Sequence, residues 1–374
     1  MHASVLAALQ SWQTEIGPFI KGRRVFAIID PAVEARFGLI PQLRAPEHKA
    51  HVIQHHDFSP NPTWESLNTA FALAEDIDVV LAIGGGTAMD LAKLVVISRE
   101  LGGPDPLWQA LKDGNGFEQR AKTQLMLIPT TAGTGSEATQ FAVIYRDGIK
   151  YSVTGPALLP NQIALDPDLL TSLPPGVIAD AGLDATCQAM ESLWSVRSTP
   201  ESEDEAWAGL SLATDSLTRA TREQDRESLA TMLVAANKAG KAINLTTTTA
   251  PHAFSYGLTA KFGIPHGRAV AILFGSVYRS TWEHGLAQCV HPGGIGWLRT
   301  RLENMATHWQ CEPDDFPDAW STYIRSLLPE NWAPPSLSNA EIEELLKTVN
   351  AKRLANHPCS FTEEQVREIY SALG

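Results

Sequence analysis

Val79-Val80-Leu81-Ala82-Ile83-Gly84-Gly85-Gly86-Thr87-Ala88-Met89-Asp90 passes from five apolar residues, through three glycines, into a segment whose helical pattern runs from Ala88 to Ser98. A short run rich in β-branched side chains and closed by turn residues is the pattern of a buried strand. Strands buried on both faces belong to parallel sheets. The glycines let the backbone approach a pyrophosphate, and the helix start offers free N–H groups at the positive end of its dipole. The spacing is not the G-x-G-x-x-G dinucleotide fingerprint. A tight turn with no ligand therefore stands beside the phosphate cradle as a reading of these residues.

Outward from this stretch the first half repeats the strand-and-helix alternation. Val25–Ile29 is an apolar run ending at Asp30-Pro31, and His51–Gln54 is a second strand closing at Ser59-Pro60-Asn61-Pro62. A helix follows over Thr63–Glu75, and Gln124–Ile128 is another buried strand ending at Pro129. Strands separated by helices of this length predict a parallel sheet covered on both faces. From Leu173-Pro174-Pro175 onward the β-branched runs thin out. Glu201–Leu217, Arg226–Leu245, Glu341–Asn350 and Thr362–Leu373 read as helices, with loops at His291–Gly294 and Pro329–Pro335. The expected organisation is an α/β nucleotide-binding domain over 1–172 and an all-helical domain over 173–374.

The chain has 374 residues, 44% hydrophobic and 19% charged, enough for two cores. No apolar run has the length of a bilayer span, and Met1–Ile20 lacks the basic-then-apolar order of a secretory signal. The four cysteines, Cys187, Cys289, Cys311 and Cys359, form no CxxC pair and fit a reducing cytoplasm. A net charge of −13 argues against nucleic-acid partners but selects no small substrate.

A second loop, Ile128-Pro129-Thr130-Thr131-Ala132-Gly133-Thr134-Gly135-Ser136-Glu137, sets four hydroxyls among small residues after a strand. Such a loop can hydrogen-bond a ribose or a nicotinamide amide. Two such loops after parallel strands share the edge where nucleotides bind. Asp30 after the first strand can accept from ribose hydroxyls and would repel a 2′-phosphate, favouring NAD(H) over NADP(H), unless it serves an ordinary Asp-Pro turn.

In the second half, His252 lies in a helical run and His266 follows a break at Pro265. Asp184 and Gln188, four apart, share a helix face. Four such donors could close on one divalent ion, so the pattern as a whole suggests a metal-assisted dehydrogenase. His266 is expected to open a helix, whose N-terminus keeps its ring neutral. Tyr256, four residues after His252, falls on the same face. Proton donation and cleft packing are both open to it. His48, His51, His55 and His56 lie in a polar segment and read as surface residues.

The chain resembles the iron-containing (group III) alcohol dehydrogenases over essentially its whole length. The resemblance rests on the glycine turn, Ile128–Glu137, Ala164-Leu165-Asp166-Pro167, the Leu173-Pro174-Pro175 boundary, Gly182–Ser192, and the Pro251-His252-Ala253-Phe254-Ser255-Tyr256 and Pro265-His266-Gly267 frame. It implies the two-domain fold also found in dehydroquinate synthase, NAD(H), a divalent metal such as Fe(II) or Zn(II), and a homodimer. It places metal ligation on Asp184, His252 and His266. Cofactor contacts fall on Asp30, Asn61, Gly85, Gly86, Thr87, Asp90, Thr130, Thr131 and Lys150, with Asp90 also a catalytic candidate beside Tyr256. Two positions depart from the family pattern. Gln188 stands where a fourth ligand is usually histidine, so it either coordinates through its amide oxygen or orders a water. Tyr256 stands where a further histidine is common.

Asp184–Val196, Ser198–Ser202, Gly240–Asn244 and Thr248–His252 are similar to one subgroup, the phosphonoacetaldehyde reductases of phosphonate biosynthesis. That resemblance implies reduction of phosphonoacetaldehyde to 2-hydroxyethylphosphonate. A phosphonate needs cationic or N–H contacts when buried, and Arg197, Lys241, Lys261 and Arg268 flank the metal motifs. The alternatives are another short-aldehyde reductase (sulfoacetaldehyde, lactaldehyde), a dehydroquinate synthase-like lyase, and a homologue that has lost its metal.

Overall fold

The computed structural model describes residues 3–114 and 117–373. They form two compact units: residues up to Leu173 together with Asp225–Asn237, and Pro174–Gln224 together with Lys238 onward.

The first unit holds strands β1 Arg24–Ile29, β2 His51–His55, β3 Val79–Gly84, β4 Gln124–Pro129, β5 Phe141–Arg146, β6 Ile149–Thr154 and β7 Gln162–Ile163. All but β5 and β6 form a five-stranded sheet of order β2-β1-β3-β4-β7, with every neighbouring pair parallel. All six residues of β3 are buried, which requires cover on both faces and explains the unbroken apolar run. The order reverses between β1 and β3. In open α/β sheets such a switch point, outside the carboxyl ends of the strands, is the place where ligands bind.

A two-residue turn joins β5 Phe141–Arg146 to β6 Ile149–Thr154 as an antiparallel hairpin absent from the sequence reading. Asp147 and Gly148 take φ of 52° and 75°, the paired positive values of a type I′ turn. His55 corrects the surface reading. Edge strand β2 alternates its faces, and His55 falls on the inner one, 3% exposed, stacked 6.1 Å from Phe26.

The second unit is helical. Its main helices include Pro175–Trp194, Pro200–Arg222, Ala250–Phe262, His266–Glu283, Gly294–His308 and Phe316–Leu327. The helix Arg226–Thr246 begins among residues of the first unit and ends in the second. Trp194, Phe274, Tyr278, Phe316 and Trp320 are almost wholly buried and form an aromatic core. The helix expected over Glu341–Asn350 stops at Leu346: Thr348 N and Val349 N bond the Leu345 and Leu346 oxygens three residues back, and Asn350 instead caps a short helix Ala351–Leu354. No described helix is long and apolar enough to cross a membrane.

Every residue from Gly182 to Ser195 is buried, so Pro175–Trp194 is enclosed all round. Its polar side chains, Asp184, Gln188 and Glu191 among them, must therefore find partners inside the unit. Gly267 lets the helix His266–Glu283 cross this one closely. A Cβ there would strike the Asp180 carbonyl oxygen and lie 2.8 Å from the Asp184 Cβ.

Candidate active site

Asp184, His252 and His266 each offer a ligating atom, and these atoms lie within 4.8 Å of one another. Asp184, Gln188 and His252 are each 4% exposed. Asp184 Oδ1 and His252 Nε2 are 3.2 Å apart, yet Oδ1 has no hydrogen-bond partner. Gln188 Nε2 donates to Asp184 Oδ2 at 3.1 Å and leaves the buried Gln188 Oε1 without a partner as well. Buried oxygens without partners are costly, and two of them beside two imidazoles form a donor set that a divalent ion satisfies. The expected spacing of Asp184 and Gln188 on one helix face is borne out, as is the helix opened by His266.

Glu191, to which the sequence reading gave no role, organises this cluster. It is fully buried, and its Oε1 hydrogen-bonds His252 Nδ1. Its Oε2 accepts from Thr249 N at 2.5 Å and from Thr249 Oγ1 at 2.8 Å, and Trp194 Nε1 donates to Thr249 Oγ1 at 2.8 Å. A carboxylate on Nδ1 fixes the imidazole tautomer and turns Nε2 toward an ion. Burial disfavours a charged His252, but Glu191 and Asp184 outweigh it and push its pKa up to about 10. Burial likewise opposes ionisation of Asp184, and the adjacent His252 and His266 imidazoles overcome it, holding that carboxyl below its ordinary range. An ion would take the place of the His252 proton. The signal available in sequence was Asp184, Gln188 and Glu191 at i, i+4 and i+7, one stripe on one helix.

Tyr256 stacks on the His266 ring at 5.7 Å and 9°, and His252 meets the same ring edge-on at 5.2 Å. The four cations have separate surroundings. Asp180 holds Arg268 through Nε (2.7 Å) and Nη2 (3.0 Å), and the guanidinium lies 4.9 Å over the Trp332 ring. Lys261 pairs with Glu344. Arg197 and Lys241 are exposed and make no ion pair among the described residues.

In the first unit Asp30, Gly85, Gly86, Thr130 and Thr131 directly follow the carboxyl ends of three parallel strands of the sheet. Gly85 precedes the helix Gly86–Leu101 in extended conformation, with no side chain capping the helix N-terminus. A Cβ on Gly85 would lie 3.3 Å from Thr131 Oγ1, and one on Gly86 would lie 2.9 Å from Thr134 Cγ2. The two loops therefore form a cradle that side chains would fill, which suits a pyrophosphate on free N–H groups. Thr130 N bonds Gly84 O at 3.0 Å, and Thr87 Oγ1 accepts from Asn61 N at 3.2 Å. Asp30 Oδ1 caps the helix Pro31–Phe37 through Ala32 N (2.9 Å) and Val33 N (3.4 Å), leaving Oδ2 for a ribose. A pocket of about 200 Å³ lined by Ile29, Pro31, Ala35 and Ile40 adjoins it.

Asp90 accepts from Ser136 Oγ at 2.7 Å and from Val143 N at 2.9 Å, and burial pushes its pKa up. Its visible contacts brace the threonine loop. Lys93, wholly buried and unmarked in the sequence reading, does the same through Nζ: it reaches Ser136 O at 2.6 Å, Thr139 O at 2.8 Å and Phe141 O at 2.9 Å. Lys150 lies on β6, close enough to Asp90 to lower that pKa by its charge.

Residues 7–167 match the family model described as iron-containing alcohol dehydrogenase, and residues 178–374 match the C-terminal model of the same family. The chain belongs to the iron-containing alcohol dehydrogenases. It is therefore an oxidoreductase of the alcohol dehydrogenase and aldehyde reductase type. A phosphonoacetaldehyde reductase of Streptomyces viridochromogenes is 33% identical over 303 residues, covering 78% of this chain and 75% of that protein. Long-chain-alcohol dehydrogenase 1 of Geobacillus thermodenitrificans is 30% identical over 363 residues, 94% of this chain and 89% of that protein. Among solved structures, the sulfoacetaldehyde reductase of Bifidobacterium kashiwanohense in complex with NAD+ superposes with a TM-score of 0.82 at 25% identity, covering 97% of this chain and 93% of that one.

Proposed function

We propose that this iron-containing alcohol dehydrogenase homologue reduces a short anionic aldehyde with NADH, and that phosphonoacetaldehyde, giving 2-hydroxyethylphosphonate, is its substrate. The observation that carries the reading is the buried Asp184, His252 and His266 cluster with its two orphaned oxygens. It occurs in a chain 33% identical to a phosphonoacetaldehyde reductase.

Asp184, His252 and His266 would hold the ion, with Gln188 Oε1 as the fourth donor, while Gly85, Gly86, Thr130, Thr131 and Asp30 would hold the nucleotide. When bound, a divalent ion supplies Lewis acidity toward a carbonyl oxygen and NADH supplies the hydride. Glu191 keeps the His252 proton on Nδ1, so that Nε2 presents a lone pair. Asp90 and Lys93 keep the threonine loop in one shape. Tyr256, stacked on His266, donates the proton the product alcohol needs. Arg268 is the anion contact we favour among the four cations: Asp180 fixes its fork and leaves Nη1 for a phosphonate oxygen.

The test is NADH consumption with phosphonoacetaldehyde, sulfoacetaldehyde, lactaldehyde and a neutral aldehyde of matched size, with Fe(II), Zn(II) or no added metal. The expected result is metal-dependent turnover with kcat/KM highest for phosphonoacetaldehyde. A higher value for sulfoacetaldehyde or lactaldehyde would transfer the assignment to that compound. An unchanged KM for phosphonate after neutralising Arg197, Lys241, Lys261 and Arg268 together would remove the anion contact.

A further inference from the structure

The loop that delivers His252 is held by a residue more than 100 positions away. The helix Arg226–Thr246 ends at Thr247, whose φ is +58° and whose N–H bonds Ile243 O at 2.7 Å. Chains usually place glycine where a helix ends left-handed, because a β-branched side chain is strained there. Such a conformation persists only when its surroundings enforce it.

The surroundings here are Asn356, 4% exposed. Its Nδ2 lies 2.7 Å from Thr246 O, 3.0 Å from Thr247 Oγ1, 3.1 Å from Thr248 O and 3.3 Å from Thr247 O. Its Oδ1 accepts from Ser195 Oγ at 3.1 Å, and its backbone oxygen accepts from Val196 N at 3.1 Å. One amide thus ties the segment Thr246–Thr248 to the end of the helix that carries Asp184, Gln188 and Glu191. The loop's next residue, Thr249, places both its N–H and its hydroxyl on Glu191.

We propose that Asn356 is a positioning residue for the metal centre: it holds Thr247 left-handed, which sets Thr249 on Glu191 and, through Glu191, sets His252. The inference rests on the metal reading above.

Metal affinity tests it directly, with Zn(II) alone as probe against a chromophoric chelator and the full chain as protein. Asn356→Ala raises the Zn(II) Kd about 10- to 100-fold, the usual effect of losing a partner behind the ligands, and speeds release to the chelator. Thr247→Gly added to Asn356→Ala recovers most of that loss, because glycine takes a positive φ unaided. If Asn356→Ala does not fold, Asn356→Leu, which keeps the bulk and removes the donor, carries the same comparison. A folded Asn356→Ala or Asn356→Leu with wild-type Kd overturns the inference, and so does a double variant no better than the single one. A purely structural Asn356 would lower melting temperature without the rescue. If the wild-type chain binds no Zn(II), the metal reading itself fails. If wild type binds and the Asn356 variants bind equally well, only the positioning role falls.

Discussion

Glu191 is the residue on which ion binding should turn, since it is the carboxylate against His252 Nδ1 and carries two further hydrogen bonds from Thr249. Replacing it as Glu191→Gln keeps the shape and removes the charge. Metal affinity is expected to fall about 10- to 100-fold, read as Kd and as metal content after dialysis, and an unchanged Kd would leave Glu191 a packing residue. The same contact sets a pH dependence. In ion-free protein His252 titrates at about 10 against an ordinary 6.5. Its proton then contributes stability in full below about 6.5, and that contribution is lost as pH rises through about 10. Chelated protein should therefore lose melting temperature between pH 7 and 10 more steeply than loaded protein, in which the ion has replaced the proton. Equal slopes for the two forms would mean that His252 carries no such proton.

Among elements, the crossing of Pro175–Trp194 and His266–Glu283 brings Asp184 and His266 together, and Gly267 sits at the crossing. Gly267→Ala should separate the helices, cost about 1–3 kcal/mol in urea unfolding and lower metal content. Full metal retention would show that the crossing tolerates a methyl group. The elements differ in how far sequence disclosed them. β1, β3 and β4 were legible because buried parallel strands read as unbroken apolar runs. The β5–β6 hairpin was missed because its residues mix polar and apolar side chains, although Asp147-Gly148 between two strand-like runs was a usable turn signal. Asp184, His252 and His266 were legible from a family frame and from spacing. Lys93 was overlooked inside an apolar helix run, where a lone lysine is itself a sign of buried partners. Asn356 left no sequence signal, since its partners lie more than 100 residues away and are mostly backbone oxygens.

For the whole molecule, the cofactor candidates all belong to the first unit and the metal candidates to the second. Removing the ion should therefore abolish aldehyde reduction and leave NADH affinity unchanged, as read by nucleotide fluorescence on chelated and reloaded protein. A Kd for NADH that rises on chelation would mean the ion takes part in nucleotide binding. The chain does not divide cleanly at Leu173, however. Asp225–Asn237 groups with the N-terminal residues, and Asn237 Nδ2 donates at 2.9 Å to Glu137, a carboxylate only 3% exposed. A recombinant fragment truncated at Leu173 would forfeit that amide and uncover the carboxylate. Laboratories wishing to crystallise or titrate the nucleotide half alone should graft the thirteen-residue piece back through a linker.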